Sequence, residues 1–239
     1  MIVPQIPQDQ VWDVRRDIMN QIADAVLSKR PVKILEVGVW YGVGSTRIWL
    51  QKCAPGSQVF LLDAWRPYSS DKDLYEDRSW NYKAMDDMST DAFLSAYLST
   101  RKIEAERAQD NVKINLIRGD SESCLSAFEE NSFDFIYIDG DHKYPKVKAD
   151  IAHAKRLIRK DFGVICGDDL EYLPTPERYQ RAIQHKDRDF LRDDKPGAEQ
   201  FHPGVLAAVA EEFQQVNMAN GTWWVVSQNN KFVLDTEGA

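Results

Sequence analysis

Long apolar runs are missing from this chain. No stretch approaches the ~20 consecutive apolar residues that cross a bilayer, so a membrane-spanning helix is not expected. The opening MIVPQIPQDQ lacks a basic n-region and an apolar h-region, so no secretory signal is expected either. Cysteine is scarce. Cys53, Cys124 and Cys166 are odd in number and without metal-ligand spacing, which argues against a disulfide framework or a zinc knuckle. Cys124 and Cys166 sit in apolar contexts and read as small core hydrophobes, and a reducing cytoplasm is the simplest location. Positive charge is also short, with 30 Lys and Arg against 38 Asp and Glu and a net charge of -8. An acidic surface repels phosphate backbones and anionic lipids, so neither nucleic acid nor membrane is expected as a partner. Lys143, Lys146 and Lys148, and Arg156, Arg159 and Lys160, read as solvated helix faces. Internal repeats and low-complexity tracts are absent.

What is present suits one soluble α/β domain over residues 1–239, with 43% hydrophobic and 28% charged residues. Strands and helices alternate along the chain, the pattern of a doubly wound, mostly parallel sheet. An N-terminal amphipathic helix is predicted over residues 10–28, with Val11, Ile18, Ile22 and Val26 on one face; that face could serve a homodimer. Strands are predicted at Val32–Val37, Gln58–Leu62, Val112–Arg118, Phe133–Ile138 and Phe162–Cys166. Helices are predicted at Ser45–Lys52, Thr90–Gln109, Glu122–Phe128, Tyr144–Ile158 and Val205–Phe213. Thr222–Ser227 and Lys231–Leu234 read as an antiparallel C-terminal pair. Two segments are too long for ordinary connections. Residues 66–88 carry Tyr68, Tyr75, Trp80 and Tyr82, and residues 170–203 are rich in charge and proline. Both read as lid or acceptor-binding insertions.

The most informative segment runs from Ile34 to Ser45. An apolar strand enters a loop with Gly38, Gly42 and Gly44 and leaves it as a helix. Glycine allows a sharp turn or close approach to a ligand. The spacing is G-x-x-x-G-x-G rather than the G-x-G-x-x-G of dinucleotide sites, and no obvious Tyr-x-x-x-Lys dyad is read near the fourth strand; both speak against a nicotinamide dehydrogenase. Glu36, inside the strand end, suits a ligand carrying positive charge. Asp63 ends the second strand, where a carboxylate can accept from both ribose hydroxyls. Loop and aspartate together point to an adenosine-type ligand.

Two further strand ends are dense in acid: Asp139-Gly140-Asp141-His142 and Asp168-Asp169. In a parallel sheet they reach the same edge, and carboxylates converging there repel unless a cation joins them. Magnesium would resolve the conflict. Aspartates after strands are also ordinary turn residues, so spacing alone leaves both readings open.

The chain resembles the class I S-adenosylmethionine-dependent methyltransferases over residues 30 to 170. The resemblance is carried by Glu36-Val37-Gly38 with Gly42 and Gly44, by Asp63, by Gly119-Asp120-Ser121, and by Ile138-Asp139-Gly140-Asp141-His142. It implies a Rossmann-like fold with S-adenosylmethionine at the carboxyl ends of the strands. Glu36, Gly38 and Ser45 would lie near its methionine part, with Tyr41 and Gly42 in the same loop. Asp63 would hold the ribose, and Gly119, Asp120 and Ser121 would border the adenine. Trp65 would pack beside the nucleoside or in the core.

The spacing of Asp139 and His142 is similar to that in metal-dependent O-methyltransferases acting on sugars of natural products. This likeness implies Asp139, Asp168 and Asp169 as ligands of Mg2+ or Mn2+, with Asp139 also contacting the cofactor. It implies His142 as general base, with Asp141 as a rival base or as the group that orients His142. Many such relatives carry Glu-Asp or Asp-Asn where this chain has Asp168-Asp169. His202 is either a helix-entry residue or part of the acceptor pocket, and His153 and His185 read as structural or exposed. The expected activity is O-methylation of a small acceptor, a sugar hydroxyl first and a phenol or catechol second. The rival reading is a non-catalytic cofactor-binding module.

Overall fold

The structure is a computed structural model that describes residues 11, 13–66, 87–191, 197 and 199–234. The strands are β1 (Lys33–Val37), β2 (Gln58–Asp63), β3 (Lys113–Arg118), β4 (Phe135–Ile138), β5 (Phe162–Leu170), β6 (Asn217–Ala219), β7 (Gly221–Gln228) and β8 (Lys231–Val233). The helices are α1 (Asp13–Val26), α2 (Ser45–Lys52), α3 (Ser89–Glu106), α4 (Ser121–Leu125), α5 (Tyr144–Leu157), α6 (Pro176–Gln184) and α7 (Pro203–Glu212). The sheet order is β3-β2-β1-β4-β5-β7-β6, with β8 also paired to β7. β1 to β5 run parallel, and β7 returns antiparallel to β5. This is the predicted doubly wound architecture with its antiparallel end.

Alternation along the inner strands fills both faces of the sheet. In β1 and β4, Ile34, Phe135 and Tyr137 face one core with α1, α2 and α3. Leu35, Val37, Ile136 and Ile138 face the other with α5 and α7. The period of two sends successive side chains to opposite sides, so both faces must be covered. Trp49 of α2 packs its ring 5.0 Å from Phe135 and 5.2 Å from Tyr137. Met19, Ile22 and Ala23 of α1 are buried within the chain, so the helix face considered for a dimer lies largely in the protein's own core. Among the described residues no helix is long and apolar enough to cross a membrane.

β1 lies between β2 and β4, so the chain winds away from it in both directions. The helices that follow β1 and β4 pack on opposite faces of the sheet, which leaves a crevice at the carboxyl edge. Three details depart from the predicted elements. β5 runs on to Leu170 instead of stopping at Cys166, because Leu170 pairs with Gly221 of β7 across a register shift. Asp168 and Asp169 therefore stand on a bulged strand end, Asp169 with φ 60°, rather than at the start of a loop. The second insertion contains α6, capped by the Thr175 hydroxyl accepting from the Arg178 amide at 3.2 Å. β6 was not anticipated; it pairs with the Thr222–Trp224 half of β7, while β8 pairs with the other half. Tyr68, Tyr75, Trp80 and Tyr82 of the first insertion lie outside the described residues.

Candidate active site at the carboxyl edge of the sheet

The turns after β1, β2, β3 and β4, with the bulged end of β5, line one crevice of about 560 Å³, a size suited to a small-molecule ligand. Its floor depends on Gly38. This residue has φ +88°, and a Cβ built on it would lie 1.7 Å from the Asp139 carbonyl oxygen. Only glycine lets the β1 and β4 turns touch. The contact is tied by the Asp139 amide donating to the Val37 carbonyl at 2.7 Å, while the Gly38 amide donates to Leu62 of β2 at 2.9 Å.

Asp63 braces the glycine loop. Its Oδ2 accepts from the Val39 and Trp40 amides at 2.9 and 2.8 Å, and its Oδ1 accepts from the Trp65 amide at 2.7 Å. The carboxylate still lines the crevice; Oδ2 has both lone-pair directions taken, and Oδ1 keeps one for a ligand hydroxyl. Trp65 is both core and wall: it is buried, borders the crevice, and its indole N–H donates to the Trp40 carbonyl at 2.8 Å. Tyr41, Gly42 and Ser45 line the same wall. Glu36 does not. It is fully buried behind Ser45, whose hydroxyl donates to Glu36 Oε1 at 2.6 Å, and Oε2 has no partner among the described residues. Burial pushes the Glu36 carboxyl up to about 7 against the hydrogen bond from Ser45. At the far end, Asp120 meets Arg66 at 3.2 Å and Lys146 at 3.5 Å, with Gly119 and Ser121 beside it.

The acidic end is assembled from distant parts of the chain. His142 Nε2 lies 3.2 Å from Asp169 Oδ2 and 4.0 Å from Asp139 Oδ1. Donor atoms of Asp139, His142 and Asp169 all fall within 4.8 Å of one another. Asp168 stands apart from that group, because Arg15 of α1 holds it: Nη1 lies 2.5 Å from Asp168 Oδ2, and Nη2 lies 3.5 Å from Asp169 Oδ1. Gly221 makes room for this guanidinium, since a Cβ there would sit 2.7 Å from Arg15 Nη2. His202 stacks edge-on against His142 with ring centroids 4.6 Å apart, and its Nδ1 lies 2.7 Å from Glu171 Oε1. His142 Nδ1 is hydrogen-bonded to Asp189 Oδ1 at 3.1 Å.

These neighbours set the charges. Burial, with Asp168 and Asp169 adding to it, raises the Asp139 carboxyl well above its usual range. Burial and then Asp169 push Asp168 up to about 7. Against its burial, His202, His142 and Arg15 hold Asp169 below the usual carboxylate range. Burial and the adjacent His202 lower His142, which favours a neutral ring. Burial opposes charge on His202 too, but Asp169 and Glu171 raise it to about 9.

A family model described as a methyltransferase domain matches residues 35–170, more than half of the chain. The chain belongs to this methyltransferase-domain family. Among solved structures the methyltransferase is similar to cofactor-bound Rv0187 from MTB, at 16% identity and TM-score 0.54, covering 95% of this chain and 85% of that one. It is similar to the Bacillus cereus O-methyltransferase in complex with SAH, at 17% identity and TM-score 0.50, covering 92% and 83%. It is also similar to the O-methyltransferase TomG from Streptomyces achromogenes, in complex with SAM, at 14% identity and TM-score 0.50, covering 93% and 83%. At such identities the likeness establishes the fold. No curated protein sequence matches.

The methyltransferase thus brings together most of the residues singled out in its sequence. Glu36 is set one layer behind the crevice wall, and Asp168 is engaged by an arginine. Asp141, the rival base, lines the crevice but its Oδ1 accepts from the Lys143 amide at 2.8 Å and holds the turn. Tyr144 and Lys148 stand at the Tyr-x-x-x-Lys spacing of some nicotinamide enzymes, a pair the sequence reading overlooked. Their side chains turn to Glu211, Tyr144 at 2.6 Å and Lys148 at 2.5 Å, and neither lines the crevice.

Arg15, Asp150, Glu171 and Asp189 escaped the sequence reading. Only Asp150 left a signal there. It interrupts the buried stripe Val147, Ile151, Ala154 of α5, and it lines the crevice with Oδ1 unpartnered among the described residues. Burial raises its carboxyl to about 7 against a hydrogen bond from Ser121.

Proposed function

We propose that this methyltransferase uses S-adenosylmethionine to methylate a hydroxyl of a small acceptor, with a divalent cation at the acidic end. The acceptor class put forward is a sugar, as in a natural product or a surface glycan. One observation carries the reading: Asp139, Asp169 and His142 converge beside a crevice shaped for an adenosine-type ligand. The solved O-methyltransferases holding SAH and SAM support the choice of donor.

The donor set suits a small divalent cation. Two carboxylates on rigid strand ends offer the hard oxygens that Mg2+ or Mn2+ prefers, and the imidazole beside them stays free to act as a base. Asp139 and Asp169 would hold it, while Asp168 stays with Arg15. When bound, such a cation makes a coordinated hydroxyl more acidic.

The remaining steps belong to the chain's own residues. The glycine loop, braced by Asp63, would hold the donor in the crevice and present its methyl group toward the acidic end. Orientation of this kind is worth up to roughly 7–11 kcal/mol of barrier. His142 Nε2 takes the acceptor proton as the oxygen attacks the methyl carbon. The new C–O bond forms as the C–S bond breaks, leaving a methyl ether and S-adenosylhomocysteine. The protonated ring sits beside Asp169, which stabilises it.

A phenolic acceptor is the second reading, favoured by the likeness to a putative caffeoyl-CoA O-methyltransferase from Staphylococcus aureus, at 15% identity and TM-score 0.50. Transfer of labelled methyl from S-adenosylmethionine to panels of glycosides and catechols separates the two. The assay is run with chelator and with Mg2+ or Mn2+ restored. Turnover lost on chelation while S-adenosylhomocysteine still binds is the expected result. Tight donor binding with no turnover on any acceptor would instead favour a non-catalytic binding module.

A further inference from the structure

We infer that Asp189, in the second insertion, is a positioning residue that sets which nitrogen of His142 is free to act. The inference rests on His142 being the base of the proposed reaction. Asp189 is 2% exposed and stands 47 residues from His142 in the chain, yet its Oδ1 is hydrogen-bonded to His142 Nδ1 at 3.1 Å. An ionised carboxylate only accepts. It therefore requires the proton of a neutral ring to be on Nδ1 and leaves the Nε2 lone pair facing the crevice. A carboxylate behind the far nitrogen of a working histidine selects tautomer and ring angle in the same way elsewhere.

The other groups around the ring are Asp139 and Asp169 on the Nε2 side, His202 on its face, and Asp141 and Glu171 nearby. With Nδ1–H given to Asp189, the 3.2 Å approach of Nε2 to Asp169 brings two acceptors together. That arrangement calls for a shared proton donor or cation between them, which is where an acceptor hydroxyl would enter.

The turn bearing His142 is clamped from both sides. The Tyr144 amide donates to the Lys186 carbonyl at 3.2 Å, three residues before Asp189. Gly204 at the start of α7 presses so closely that a Cβ would lie 2.2 Å from the His142 carbonyl oxygen and 2.4 Å from the Tyr144 nitrogen. Beyond Asp189, Leu191 is tied to Phe201 by a two-way backbone bridge. The insertion thus returns to the sheet as a frame carrying one carboxylate to one imidazole.

Nitrogen-15 NMR of the His142 ring, with S-adenosylhomocysteine bound, tests this without any acceptor. The native neutral ring is expected as the Nδ1–H form. In Asp189→Asn, which preserves volume but can donate, the Nε2–H form is expected to take over, with S-adenosylhomocysteine affinity unchanged. Turnover should fall about 100-fold or more through kcat, with little change in KM. A native ring in the Nε2–H form overturns the inference even if the variant does not fold. A variant that folds and keeps both the Nδ1–H form and its turnover overturns it as well. If instead His142→Gln retains full turnover, the base assignment fails, while the tautomer measurement still decides what Asp189 does to the ring.

Discussion

The two ends of the crevice are built in different ways. The end proposed to hold the donor consists of turns that follow β1, β2 and β3 directly, each residue placed by the strand just before it. The acidic end draws Arg15 from α1, Asp139 and His142 from the β4 turn, Asp168 and Asp169 from a bulge in β5, and Asp189 and His202 from an insertion. A strand end aims its side chains through the sheet's own hydrogen bonds, whereas the acidic end needs four separate segments packed correctly at once. The donor end should therefore tolerate loss of the acidic end, but not the reverse.

The largest effect is expected at the seam between the two ends. Gly38→Ala puts a methyl group against the Asp139 carbonyl at a φ that side chains avoid. Urea unfolding should show a loss of roughly 4 kcal/mol or more. Near-native stability would mean that the β1 and β4 turns do not meet as described.

Next in size is His142→Gln, which should lower turnover about 1,000-fold while calorimetry shows unchanged S-adenosylhomocysteine binding. Loss of cofactor binding in that variant would erase the proposed independence of the donor end.

Arg15→Met leaves Asp168 buried beside Asp169 without its cation. Breaking such a pair from one side costs about 3–5 kcal/mol at full burial. The 22% exposure of the arginine side chain places the expected loss at about 3 kcal/mol at pH 8, measured by denaturant titration. The loss should shrink toward pH 6, where protonation relieves the unpaired Asp168. A pH-independent loss would assign Arg15 a packing role only.

The smallest effect concerns Glu36. Its carboxyl is raised from 4.5 to about 7 in the folded chain, so the fold favours the protonated form. That contribution is complete below pH 4.5 and is lost as pH rises through about 7, on the order of 3 kcal/mol in all. Glu36→Gln should flatten the fall in stability between pH 5 and pH 8. An unaltered slope would show that Glu36 is ionised in place.

How far the site could be read in advance follows the same division. Gly38, Asp63 and Asp139 were legible because each closes a predicted strand, and parallel strands deliver their ends to one edge. Asp168 and Asp169 were found, but not their separation, since the bulge that turns them apart arises from β7 pairing more than 50 residues later. Glu36 was placed near the ligand, although alternation within β1 turns it behind Ser45. Asp189 and Glu171 gave no sign, because charged residues in a proline-rich insertion look alike until the segment folds back.

The order of residues, through apolar periodicity, glycine spacing and the motifs at strand ends, was enough to determine a doubly wound sheet, its methyltransferase family likeness and which turns after β1 to β4 share one crevice. These depend on interactions between neighbours in the chain and on the repeat of two or 3.6 residues. Only the tertiary structure decided which carboxylate meets Arg15, which faces His142, and which lies behind it. Such pairings link residues 27 to 154 positions apart, and no local pattern encodes contacts over that range.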